Sequence, residues 1–179
     1  AGVVVALGHS AATYEDATAA VLAGATHVTH CFNAMRPLHH RDPGLVGAAL
    51  DLPDVTVEVI ADGVHIHPAV VRLLWRACGA QRLCLVSDAV DVALPGAGVA
   101  RLEDGTLAGS RIGLDQAVRN LVAWDVPLVD ALTMASITPG ARMGLPSGLT
   151  VGAAADLTLL DGDLQVLMTV VDGSIVWER

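Results

Sequence analysis

The sequence contains no lysine, so all ten of its positive charges are arginine. Nineteen acidic residues leave a net charge of −9. Nucleic acid and anionic membrane surfaces both call for clustered basic side chains, and this balance argues against either as a partner. No apolar run is long and pure enough to span a bilayer. No charged-then-apolar stretch of the secretory kind opens the chain. The three cysteines, Cys31, Cys78 and Cys84, are an odd number without framework spacing, which speaks against a disulfide-stapled scaffold. They read as reduced, buried thiols of a cytoplasmic protein. Cys31, although beside His30, reads as a small apolar filler. Repeats at solenoid spacing and low-complexity linkers are also missing.

What is present is apolar. Hydrophobic residues make up 53% of 179 residues, and the mean hydropathy is +0.56. That is enough for one substantial core and a small satellite. The apolar content is Ala, Val and Leu spread over many short segments. Such segments suit strands buried on both faces, in a chain that buries itself against something more.

The pattern predicts a strand over Val3–Leu7, then a helix through Ala17–Ala23 capped by Thr13 and stopped at Gly24. Glu15 and Asp16 lie in its first turn, where the helix dipole favours acids. A strand over His27–Thr29 leads into a polar loop from Phe32 to Pro43. A short helix at Gly44–Leu50 and a strand at Val55–Ile60 follow. Pro68 is placed to start a helix that reaches Cys78 and stops at Gly79. Leu83–Val86 is a fourth strand. This alternation calls for a parallel sheet or barrel. Beyond Asp88 the pattern changes. Leu94–Gly98 reads as a turn, and Val99–Leu107 as a hairpin turning at Asp104-Gly105. Helices are expected at Leu114–Ala123 and Leu128–Ser136, with another starting at Pro139. Leu157–Leu160, Val166–Val171 and Ile175–Trp177 read as antiparallel strands. They are too few to fold alone and should join a sheet built elsewhere.

His9 and His30 each end a β-rich run, with a helical stretch between them. In a (β/α) barrel such positions offer imidazoles to a metal at the carboxyl ends of neighbouring strands. Two histidines are not a complete site, and a hydrogen-bonded structural role is the plainer alternative. Asp88 ends a third run. A carboxylate there suits a general acid or base, against a helix cap as the plainer role. Together these residues point to metal-assisted hydrolysis. The loop with Asn33, Arg36 and Arg41 is dense in donors fit for a phosphate or carboxylate, although its composition is also that of a solvated surface loop. His39 and His40 read as exposed, His67 as a cap, and His65 as within reach of a substrate at the barrel mouth. His27 receives no functional role.

These segments resemble one family, the N-acetylglucosamine-6-phosphate deacetylases of the amidohydrolase superfamily. The matching words are Gly8-His9-Ser10-Ala11-Ala12-Thr13-Tyr14, Thr29-His30-Cys31-Phe32-Asn33-Ala34-Met35 and Arg41-Asp42-Pro43-Gly44-Leu45. They continue with Ile60-Ala61-Asp62-Gly63-Val64-His65, Leu85-Val86-Ser87-Asp88-Ala89, Gly105-Thr106-Leu107-Ala108-Gly109-Ser110 and Gly152-Ala153-Ala154-Ala155-Asp156-Leu157.

The resemblance implies an α/β fold. Residues 1–150 would be the second half of a TIM-like (β/α)8 metal-dependent hydrolase barrel. Residues 151–179 would be carboxyl-terminal strands of a small β-sandwich. It implies His9 and His30 as ligands of one divalent metal, zinc or alternatively iron, and Asp88 as the general base and then acid. Asn33, Ala34 and Arg41 would meet the sugar phosphate, and His65 the reacting end. Leu107, Ala108 and Gly109 would line the pocket. A homodimer is implied for the complete enzyme.

Two departures stand out. The family's glutamate ligand, on an earlier barrel strand, has no counterpart in this sequence. The segment Asp91–Ala100 is also short for the family. Two other readings remain open at this level. One is another amidohydrolase, dihydroorotase-like or an amino-acid deacetylase. The other is a catalytically incomplete assembly unit.

Overall fold

Four short apolar runs pair side by side into one parallel sheet. The computed structural model describes residues 2–90, 99–145 and 148–179. Strands β1 (Ala6–Leu7), β2 (His27–Val28), β3 (Thr56–Ile60) and β4 (Leu83–Val86) stand in the order β1-β2-β3-β4. Each is joined to the next by a crossover holding a helix: α1 (Tyr14–Leu22), α2 (Gly44–Asp51) and α3 (Pro68–Cys78).

Local chemistry sets these helices. Thr13 accepts from the Asp16 N–H, and the Asp16 carboxylate accepts from the Thr13 N–H, a reciprocal capping box at α1. At α3 the His67 ring accepts from the Ala69 N–H, Pro68 fills the first turn, and Gly79 ends the helix at φ +69°. His67 is thus the cap its position suggested.

Side-chain alternation divides the sheet into two faces. Val57, Val59, Leu83 and Leu85 face the helices and form the core with Val71 and Leu74. Glu58 lies in register with Cys84 on the other face.

Beyond β4 the chain forms a hairpin of β5 (Val99–Arg101) and β6 (Leu107–Ser110). It turns through Asp104-Gly105, closed by the Leu102 N–H to the Thr106 carbonyl at 2.9 Å. Helix α4 (Leu114–Ala123) follows, then α5 (Leu128–Leu132) and α6 (Thr138–Arg142). The tail is a three-stranded antiparallel sheet of β7 (Leu157–Leu160), β8 (Val166–Val171) and β9 (Ser174–Glu178).

Two expectations are corrected. The first strand is two residues, not Val3–Leu7, because β1 is the sheet's edge and Val3, Val4 and Val5 are 75%, 37% and 50% exposed. The segment after Leu128 is continuous rather than broken before Pro139: a π-helical turn, Thr133–Ile137, joins α5 to α6. Proline has no N–H and crowds the carbonyl four residues back, and the wider turn accommodates both effects. Among the described residues the tail strands pair with one another. They are tied to the rest by Arg119, which donates to the Leu164 carbonyl at 2.7 Å. The expected turn at Leu94–Gly98, and most of the short Asp91–Ala100 segment, lie outside the described residues. Among the described residues no helix is long and apolar enough to cross a membrane.

Candidate metal and substrate site

All four parallel strands deliver their carboxyl ends to one edge, and two residues past each end stands a titratable side chain. These are His9 after Leu7, His30 after Val28, Asp62 after Ile60 and Asp88 after Val86. Three of them take backbone conformations that side chains disfavour: φ is +46° at His9, +21° at His30 and +47° at Asp88. Such turns persist only where neighbours over-determine them, and they gather at functional sites.

His9 and His30 meet. Their Nε2 atoms are 2.8 Å apart, with ring centroids at 4.6 Å and planes at 68°. Two aromatic nitrogens at hydrogen-bond distance, each on its own strand end, form a partial cradle for a cation. The His30 Nδ1 is buried without a hydrogen-bond partner among the described residues. This donor set fits two ligands of a divalent metal such as zinc. Among the described residues no third His, Cys, Asp or Glu joins them.

Asp88 is exposed. Its carbonyl accepts from the Ser110 N–H at 3.0 Å, and the Val90 N–H reaches the Ser110 carbonyl at 3.3 Å. Strand β6 therefore docks against the turn that carries Asp88. Gly109 permits this approach at φ +149°: a Cβ there would stand 2.7 Å from the Asp88 carbonyl and 2.6 Å from Val90 Cγ1. Leu107 and Ala108 are half-buried beside it.

The loop after His30 is internally braced. The Asn33 side-chain amide donates to the carbonyls of His30 at 3.1 Å and Cys31 at 3.4 Å. Phe32 at φ +76° and Ala34 at φ +50° turn the chain tightly. The Arg36 N–H reaches the Ser10 carbonyl at 3.4 Å, which brings the loop beside the His9 end. Arg36 pairs with Asp42 at 2.9 Å. Arg41 is exposed and donates to His40 Nε2 at 2.8 Å. His39 and His40 are exposed, as expected.

Sequence reading alone missed two carboxylates. Asp62 holds His65: its Oδ2 is 2.6 Å from His65 Nδ1, and its Oδ1 accepts from the Val64 and His65 N–H groups, each at 2.9 Å. Their side chains are 1% and 4% exposed. The pairing leaves Nε2 as the ring's free nitrogen. The Asp-Gly-Val-His spacing, which suits an Asx turn, was the available signal. Glu58 is the second. It reaches across to β2 and accepts from His27, Thr29 and the His30 N–H. An acid in the middle of the apolar run Thr56–Ile60 was the signal there.

The chain is similar to proteins already known. An N-acetylglucosamine-6-phosphate deacetylase of Vibrio furnissii is 40% identical over 195 residues, covering 99% of this chain and 49% of the relative. An N-acetylgalactosamine-6-phosphate deacetylase of Escherichia coli O157:H7 is 39% identical, covering 96% of this chain and 50% of the relative. Among solved structures, an aspartate-to-alanine mutant of the Mycobacterium smegmatis N-acetyl-D-glucosamine-6-phosphate deacetylase, in complex with N-acetyl-D-glucosamine-6-phosphate, superposes with a TM-score of 0.91. It is 41% identical, and the match covers 98% of this chain and 51% of that one. The chain thus spans about half the length of the curated relatives it matches. The sequence model of the amidohydrolase family matches residues 1–176, and the chain belongs to that family.

Proposed function

We propose that this chain supplies the carboxyl-terminal half of a deacetylase that hydrolyses N-acetylglucosamine 6-phosphate to glucosamine 6-phosphate and acetate. In this reading residues 1–150 are half of a (β/α)8 barrel and residues 151–179 are strands of a small β-sandwich. The four-stranded parallel sheet with its outer helices, followed by the antiparallel tail, supports that division. The observation that carries the chemistry is the meeting of His9 and His30 at the carboxyl ends of adjacent parallel strands.

His9 and His30 would hold one divalent metal, read as zinc with iron as the alternative, since imidazole suits both. When bound, the metal supplies Lewis acidity to the acetamide carbonyl and acidity to water. Asp88 takes a proton from the attacking water. It then returns a proton to the amine nitrogen as the C–N bond breaks, so acetate and the free amine leave together. Arg41 and the main chain at Asn33 and Ala34 would bind the phosphate, for which an arginine fork is well shaped. His65, oriented by Asp62, would donate or accept through Nε2 near the acetamide. Leu107, Ala108 and Gly109 would wall the pocket. The assembled enzyme is read as a cytoplasmic homodimer.

A specific observation favours a second substrate: the 39% identical relative named for the galactosamine epimer. The phosphate and acetamide contacts proposed above do not depend on the sugar's C4 configuration.

The test uses the full-length protein loaded with zinc. It should release acetate and a free amine from N-acetylglucosamine 6-phosphate, and much less from the unphosphorylated sugar. Faster turnover of the galactosamine epimer would establish the second reading. Failure on both phosphates, with activity on a dihydroorotate or an N-acetyl amino acid, would overturn the proposal.

A further inference from the structure

Glu58 sits on β3, on the face opposite Val57 and Val59. A carboxylate within a sheet is costly unless its charge is engaged. Here it is. Oε1 is 2.9 Å from His27 Nε2, while Oε2 accepts from Thr29 Oγ1 at 2.6 Å and from the His30 N–H at 3.1 Å. His27 is itself held through Nδ1 by Thr56 Oγ1 at 2.6 Å. The Glu58 main-chain carbonyl adds a bond from the Cys31 N–H at 3.0 Å. Every one of the contacts made by Glu58 falls within residues 27–31, the end of β2 that turns out into His30. Burial pushes the Glu58 carboxyl up, but the bonds from His27, Thr29 and His30 outweigh it and hold the group at about 2.

We infer that Glu58 is a positioning residue: its carboxylate clamps the end of β2 and fixes His30 in the turn that brings Nε2 to His9. His30 stands at φ +21°, a conformation that persists only under outside constraint. The clamp supplies it, because Oε2 grips both the His30 N–H and the residue before it. Gly8 completes the arrangement. A Cβ at Gly8 would run into Thr29 Cγ2, so the end of β1 lies directly against the side chain that Glu58 holds. The three strands are thereby locked in the register that presents both imidazoles. Glu58 reaches His30 through its backbone N–H and through the neighbouring Thr29 and His27 side chains, not through the His30 ring. The inference rests on His9 and His30 being metal ligands.

The experiment compares Glu58→Ala, Glu58→Gln, Thr29→Val and Val59→Ala in the full-length protein, prepared metal-free. Zinc affinity is measured by titration and exchange of the His30 amide proton by NMR. Glu58→Ala should weaken zinc binding about 10–100-fold, the range for loss of a group that orients a ligand. Its His30 amide should exchange faster even without metal. Glu58→Gln should recover most of both, since its carbonyl can accept from Thr29 and His30 while its amide donates to His27. Thr29→Val keeps the packing on Gly8 and removes one bond, so it should fall between. Val59→Ala, on the core face of the same strand, should lower the melting temperature and leave zinc affinity near the parent's. Unchanged zinc affinity and amide exchange in folded Glu58→Ala would overturn the clamp, as would equal zinc loss in Val59→Ala. A parent protein that binds no zinc would sink the metal reading instead, and the amide-exchange comparison would still decide the clamp.

Discussion

At the scale of single residues, the chemistry is concentrated where the chain leaves the sheet. His9, His30 and Asp88 all stand at positive φ, which aims a side chain across the strand ends instead of along them. Asp88, as the proton carrier, has a clear expectation. In the full-length enzyme Asp88→Asn should fold and bind zinc normally yet lose roughly 10²–10⁴-fold in turnover. Near-normal turnover would remove Asp88 from the mechanism. The exposed Arg41 guanidinium donates to its neighbour His40, a surface contact that it can exchange for a phosphate. Arg41→Ala should cost about 2–5 kcal/mol of binding for the phosphorylated sugar and little for the unphosphorylated one. Equal losses on both would make Arg41 structural. The cysteines carry the opposite expectation. Burial pushes the Cys31 thiol up to about 12 and Cys84 up to about 11. The thiolate is the reactive form, so at pH 8 a thiol-reactive dye should label neither until the protein is unfolded. Fast labelling of the native protein would show that these positions open.

At the scale of elements, close contact between strands matters more than strand length. β1 and β2 pair over two residues each, yet Gly8 against Thr29 leaves no room for a methyl group. Gly8→Ala should therefore destabilise the protein by about 1–3 kcal/mol through overpacking, read as a shift in the denaturant midpoint. Adding Thr29→Ser removes the clashing methyl and keeps the hydroxyl bonded to Glu58, so the double variant should recover part of the loss. No recovery would mean that the strain lies elsewhere than in this contact. Gly109 has the same role between β6 and the Asp88 turn, with the added demand of φ +149°. The π-helical turn at Thr133–Ile137 shows the same economy. It keeps the helix on the core, where Met134 is fully buried, while absorbing Pro139.

At the scale of the whole molecule, the described sheet has four parallel strands where a closed barrel has eight. Edge strand β1 has one neighbour. Beside it lies a largely apolar groove of about 290 Å³, lined in part by Leu7, Ala17, Ala20 and Leu45. Two histidines are short of the three or four donors that zinc takes. The 179-residue chain expressed alone should accordingly associate or aggregate, bind zinc weakly and show no deacetylase activity. Sedimentation with a zinc and acetate-release assay checks this. A monodisperse, zinc-loaded, active monomer would refute it.

Much of this molecule was legible in its sequence because local chemistry decided it. The helix starts at Thr13 and Pro68, the stop at Gly79, the strand at Leu83–Val86 and the turn at Asp104-Gly105 all follow from caps, prolines, glycines and β-branched runs whose effects reach only a few residues. The positions of His9, His30 and Asp88 followed for the same reason, since each ends a recognisable strand. What a single strand contributes across to its neighbour was hidden. His27 received no functional role and Glu58 was passed over within its strand, because the distance that joins them, 2.9 Å, spans 31 positions of sequence. The convergence of the two Nε2 atoms and the contact of Gly8 with Thr29 likewise exist only once parallel strands stand in register. The sequence by itself determined which residues sit at the strand ends, because caps and periodicity are local. Only the tertiary structure decided which of them touch, because register is set by the packing of distant segments.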